Sequence, residues 1–158
     1  MIIKNIIDED FTNYRKCSMF IGFPTCTFKC EKDCGCKGMC QNTALANSPN
    51  INVSCHDIIK RYLDNPLTSA IVCGGLEPMD SKEDLLELIS ELRLFYDDPV
   101  IIYTGYYKEE ILDVIEQLKR YTNIIVKFGR FIPNQQKHYD DVLGVYLASD
   151  NQYAEIIS

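Results

Sequence analysis

Four short runs in this chain are apolar with scarcely a break: CSMFIGF (17–23), SAIVC (69–73), VIIYT (100–104) and NIIVKF (123–128). Successive side chains of a strand point to opposite faces, so a strand that is apolar throughout must be covered on both. Between these runs the spacing turns helical. Ser54 with Asp57 approximates a capping box, Asp standing in for Glu. It predicts a helix with Ile58, Ile59, Tyr62 and Leu63 on one face, stopped by Pro66. Ser81 and Asp84 predict a second, with Leu85, Leu88, Ile89 and Leu92 at helical spacing and Asp97-Asp98-Pro99 after it. A third is expected from about Lys108 to Arg120, burying Ile111, Leu112, Ile115 and Leu118. IIKNII (2–7) reads as a first strand and VLGVYLA (142–148) as the last. Strands alternating with helices in this way predict an α/β fold whose sheet is mostly parallel, joined by right-handed crossovers. No repeat or linker divides the chain, so one domain over residues 1–158 is expected.

With 158 residues, 46% of them hydrophobic, such a domain has a core of its own and needs no disulfide staples. The net charge of −7 repels phosphate backbones, which argues against a nucleic-acid partner. No apolar run approaches the ~20 residues of a membrane span. The opening MIIKNIIDED does not read as a secretory signal. A cytoplasmic, reducing location is therefore expected, where eight cysteines point to metal or redox chemistry rather than a disulfide framework.

Five of those cysteines crowd into residues 20–42: Cys26, Cys30, Cys34, Cys36 and Cys40. Structural zinc usually takes two short pairs set well apart. Here there is no second pair, and His56 and His138 are remote. Iron–sulfur clusters are also held by thiolates, and a cubane held by three leaves one iron open to a ligand. Parallel sheets bind ligands at the carboxyl ends of their strands. The cysteine loop, Gly74-Gly75, Thr104-Gly105 and Asp150-Asn151-Gln152 each follow a predicted strand, so one site at one edge is expected. Cys17 and Cys73 read as small core residues. Cys55 reads as packing, although a helix amino-terminus can lower a thiol pKa. His138 reads as a solvated loop residue, and Arg130 as either a carboxylate anchor or a salt-bridge partner.

Cys26-Thr27-Phe28-Lys29-Cys30 resembles the opening of the radical S-adenosylmethionine signature CxxxCxxC, and Cys40-Gln41-Asn42 resembles its close. Gly74-Gly75-Leu76-Glu77-Pro78 is similar to the GGE motif of that superfamily. Ile102 to Tyr106, Gly129-Arg130-Phe131 and Ser149 to Gln152 resemble segments of anaerobic ribonucleotide reductase activating enzymes, in the same order and over nearly the whole chain. Two departures stand out. Nine residues separate Cys30 from Cys40 instead of two, and Leu76 intervenes between the glycines and Glu77. The longer loop costs roughly 1 kcal/mol in closure entropy. A triplet of Cys26, Cys30 and Cys34 is the alternative, but only Cys40 carries the trailing Gln-Asn and follows a bulky residue, Met39.

The resemblance implies a partial (β/α) barrel of the short radical S-adenosylmethionine type, with a cluster loop over 24–42. It implies a [4Fe–4S] cluster on Cys26, Cys30 and Cys40, and S-adenosylmethionine bound near Met39, Gly74, Gly75, Glu77, Thr104 and Asn151. No catalytic residue beyond cluster and cofactor is implied. The activity implied is glycyl-radical activation: reductive cleavage of S-adenosylmethionine to a 5′-deoxyadenosyl radical that abstracts a glycine Cα hydrogen on a partner. That partner would be an anaerobic ribonucleoside-triphosphate reductase, with flavodoxin or ferredoxin as electron donor and no role for nucleic acid or membrane. Two alternatives remain open: another radical S-adenosylmethionine enzyme with a different substrate, and a non-catalytic zinc or iron–sulfur module.

Overall fold

The structure is a computed structural model describing residues 1–158. In chain order it has β1 (Ile2–Ile3), β2 (Asn5–Asp10), β3 (Ser18–Phe23), α1 (Lys29–Cys34), α2 (Thr43–Ala46) and β4 (Ile51–Asn52). There follow α3 (Cys55–Leu63), β5 (Ile71–Gly75), α4 (Lys82–Leu92), β6 (Val100–Tyr103), α5 (Leu112–Leu118) and β7 (Ile124–Phe128). The chain ends with β8 (His138–Asp140), β9 (Val145–Leu147) and β10 (Tyr153–Ile156). Six strands form one open sheet in the order β10-β7-β6-β5-β3-β2. The central four, β3, β5, β6 and β7, run parallel. Both edge strands are antiparallel to their neighbours. The fold is thus α/β with a mostly parallel sheet whose two edges do not close on each other. No helix is long and apolar enough to cross a membrane.

The unbroken apolar runs are explained by burial on both faces. Ile21, Cys73, Ile102 and Val126 join the larger core, which includes Ile58 of α3, Leu88 of α4 and Ile115 of α5. Alternate residues Val72, Ile101 and Ile125 face the other way, into a smaller cluster with Tyr14, Leu143 and Leu147. Only part of that second face is covered by apolar side chains. The remainder is the floor of a cavity.

The helix starts are of two kinds. Ser54 caps α3 as expected, its Oγ accepting from Asp57 N at 3.0 Å. Ser81 makes no capping bond to α4. Instead Glu77 accepts from Met79 N and opens a short 3-10 turn, Pro78–Ser81, that leads into α4.

Four expectations are corrected. The first strand divides into β1 and β2, with β2 antiparallel to β3. The helix expected from Lys108 begins as a 3-10 turn (Lys108–Glu110) and restarts at Leu112, which rotates Leu112 outward while Val114 is buried. VLGVYLA is not the last strand of the sheet. Gly144, at φ +72°, turns the chain, and β8 pairs with β9 as a separate hairpin. The last sheet strand is β10, so Asp150-Asn151-Gln152 precedes a strand rather than following the final one.

Candidate metal and cofactor site

A cavity of about 410 Å³ opens where β3, β5, β6 and β7 end. Cys26, Cys30 and Cys40 line it, together with Gly74, Gly75, Glu77 and Thr104. Cys34 and Cys36 do not; they lie outward on the inserted turn, where the Cys36 thiol donates to the Cys34 carbonyl. Met39 is exposed and outside the cavity. Asn151 is also outside the lining. Its amide donates to Arg130 O at 2.8 Å and braces the turn at Gly129.

Burial raises the Cys30 thiol pKa, and proximity to Cys40 raises it further. The Cys26 thiol is pushed up to about 12, chiefly by burial, with Glu77 and Cys30 adding to the shift and a bond from Phe28 N opposing it. To ligate a metal these thiols must give up their protons, so binding would release protons and depend on pH. All eight cysteines are free, so none is tied up in a disulfide. No three acidic, cysteine or histidine side chains are gathered tightly enough to form a coordination sphere. The donor set, three thiols lining one cavity, fits an iron–sulfur group.

What links that loop to the sheet was not evident from motif spacing. Asn42, two residues past Cys40, donates its amide to Gly75 O at 2.5 Å. Asp80 accepts from Thr27 N at 2.8 Å and from the Tyr106 hydroxyl at 2.6 Å. Glu31 accepts from Cys40 N at 3.0 Å. Arg130 is buried and makes a two-pronged ion pair with Glu110. Its Nε lies 2.7 Å from Asp33 of α1, off hydrogen-bond alignment. Of the two readings of Arg130, the salt bridge is the one formed. The pairing holds the Glu110 carboxyl down at about 2.

The sheet side is rigid by construction. Gly75 has φ +81°, and a Cβ there would come within 2.8 Å of Gly22 Cα. Only glycine combines that conformation with so close a backbone approach. β5 therefore keeps its pairing with β3 through Gly74 and Gly75, two residues further than its apolar run suggests. Glu77, 5% exposed, accepts from Met79 N at 3.1 Å and Gly105 N at 2.8 Å. Burial still lifts its carboxyl to about 7, against the lowering effect of Gly105 and Thr104. Lys127, also missed, lines the same cavity; burial lowers its ammonium pKa to about 8, opposed by the nearby Glu77 and Cys30. Elsewhere Cys73 is fully buried and Cys17 partly so, while burial lifts Cys55 to about 11, consistent with packing at the start of α3. His138 is half-buried on β8 rather than in an open loop.

A profile described as "4Fe-4S single cluster domain" matches residues 14–153. The chain belongs to that family. The match takes in the whole cysteine loop and every strand lining the cavity. This family supplies an iron–sulfur cluster as the metal group, in place of zinc. A search of curated proteins finds no match.

Proposed function

We propose that this 4Fe–4S protein is a glycyl-radical activating enzyme of the radical S-adenosylmethionine type, built on a partial (β/α) barrel. The observation that carries the reading is the single cavity lined by Cys26, Cys30 and Cys40 on one side and by Gly74, Gly75 and Thr104 on the other. Cluster and S-adenosylmethionine together supply the radical chemistry, by one-electron cleavage of the sulfonium to a 5′-deoxyadenosyl radical. The protein's own part is positioning. Cys26, Cys30 and Cys40 would hold the cluster in the cavity that Gly74 and Gly75 also line. Gly74 and Gly75, packed against Phe20 and Gly22, would present their backbone to the methionyl group. Glu77 acts at one remove: its carboxylate is taken up by Met79 and Gly105, so it shapes the strand-end loops. The uncovered part of the concave face admits a glycine-bearing segment of a partner, for which an anaerobic ribonucleoside-triphosphate reductase is the proposed identity. A low-potential carrier such as flavodoxin or ferredoxin would deliver the electron.

The test is anaerobic reconstitution with iron and sulfide, reduction, and assay for 5′-deoxyadenosine. Incubation with a candidate reductase should then give a glycine-centred radical signal. Cleavage without that signal would favour a different substrate. A loaded cluster with no cleavage would reduce the protein to an iron–sulfur module.

A further inference from the structure

Lys127 is a charge on the concave face to which the proposed function gives no task. It sits on β7 between Val126 and Phe128, whose side chains enter the helix-side core. Its own side chain turns the other way, lines the cysteine cavity and is 6% exposed. The ammonium has three donors. One goes to Gly129 O at 2.9 Å. The other basic residues lining the cavity are ion-paired: Lys29 with Glu110, and Arg130 with Glu110 and Asp33. Lys127 has no such partner, only the Tyr103 ring at 5.9 Å and the Glu77 carboxyl and Cys30 thiol in its neighbourhood. Glu77 is already occupied by Met79 N and Gly105 N.

A buried, unpaired ammonium is costly unless something anionic answers it. A neutral Cys30 thiol does not. An iron–sulfur cluster on three thiolates does, because its core charge is outweighed by its ligands and one-electron reduction makes it more negative still. A fixed cation nearby favours the more negative state most in a low-dielectric setting, and cluster potentials follow local charge and exposure.

We propose that Lys127 is a positioning residue for the cluster's charge: its buried ammonium, in the cavity that Cys30 also lines, raises the potential at which the cluster accepts an electron. The inference rests on Cys30 being a cluster ligand and does not depend on S-adenosylmethionine cleavage. The electron comes from a low-potential one-electron donor. No bond in the protein breaks, and the ammonium keeps its proton.

The experiment is a potentiometric titration of the full-length, anaerobically reconstituted protein, followed by electron paramagnetic resonance, with iron and sulfide measured alongside. Lys127→Gln keeps a donor for Gly129 O and removes the charge; Lys127→Arg keeps the charge. At equal iron content the Gln variant is expected to be roughly tenfold harder to reduce at a given poise, a shift of about 59 mV to more negative potential for a one-electron couple. The Arg variant should return most of that shift. An unmoved potential at full iron content overturns the proposal. Lys127→Met is measured as well, in case the Gln side chain does not fold on the strand. Loss of cluster from all three variants would mark a structural role and also overturn it. S-Adenosylhomocysteine is titrated in parallel. Weaker binding with an unchanged potential would assign the ammonium to the nucleotide's carboxylate instead. A wild-type protein with no reducible cluster would overturn the site reading and the proposal together, whereas a cluster indifferent to the charge overturns the proposal alone.

Discussion

Two segments border one cavity and are built on opposite principles. The cysteine segment is carried by α1, six residues long, with none of them buried. It is entered through Phe28 and left through Gly35, both in left-handed backbone. The strand-end side is buried and braced: Glu77 spans two loops, Gly75 is pressed against Gly22, and Asn151 holds the turn at Gly129. One side is set by the sheet before any ligand arrives. The other has little apolar burial of its own and is tied to the sheet by polar contacts, Thr27 to Asp80 and Asn42 to Gly75.

Cysteine replacements should break the comparison most sharply. Cys40→Ala is expected to abolish cluster retention, measured as iron content and visible absorbance, while Cys34→Ala combined with Cys36→Ala retains it. The reverse pattern would move the ligand set to Cys26, Cys30 and Cys34.

Glycine replacements set the rigid side against the loose one. Gly75→Ala should cost about 2–5 kcal/mol in urea unfolding, since left-handed backbone costs roughly 1–2 kcal/mol and overpacking against Gly22 about 1–3 kcal/mol more. Gly35 has comparable backbone, at φ +67°, but open space around it. Gly35→Ala should therefore cost only the backbone part, about 1–2 kcal/mol. Equal losses would mean that the two sides are equally constrained.

The braced side should also carry a pH signature. Glu77 has its carboxyl raised to about 7 in the folded protein against an ordinary value of 4.5. The folded state then holds the proton more tightly than the unfolded one. Stability from this group is greatest below pH 4.5 and falls as pH rises toward about 7. The fall should amount to roughly 2–3 kcal/mol, and Glu77→Gln should flatten it in thermal melts across that window. A wild-type protein with no slope there would show that Met79, Gly105 and Lys127 fully compensate the buried charge.

The smallest effect is expected where the two sides meet. Asp33 is 58% exposed beside a nearly buried Arg130. Asp33→Asn should change global stability by about 0.5 kcal/mol or less but speed limited proteolysis of residues 29–40 in the cluster-free protein. No change in cleavage rate would mean that this contact does not restrain the loop.

Much of this was legible from local pattern. Ile58, Leu88 and Ile115 fell on the buried faces predicted for them, and all four apolar runs became the parallel core of the sheet. Gly74, Gly75, Glu77 and Thr104 reached the same cavity as the cysteines because each lies at or just beyond the carboxyl end of a parallel strand. Met39 and Asn151 did not, since a neighbouring motif position does not determine which way a loop side chain points. Lys127 was hidden inside an apolar run, where a lysine looks like an edge position until the sheet order is known.

The sequence alone determined the repeating strand–helix order, because periodicity and caps act over a few residues. It also determined the chemistry available, a thiol-rich segment in a chain with glycine-rich strand ends. Tertiary structure decided which thiols face inward, that β10 rather than residues 142–148 completes the sheet, and that Lys127 points into the cavity. Those outcomes depend on pairings between residues far apart in the chain, whose free energy is set by burial and partners that no local window contains.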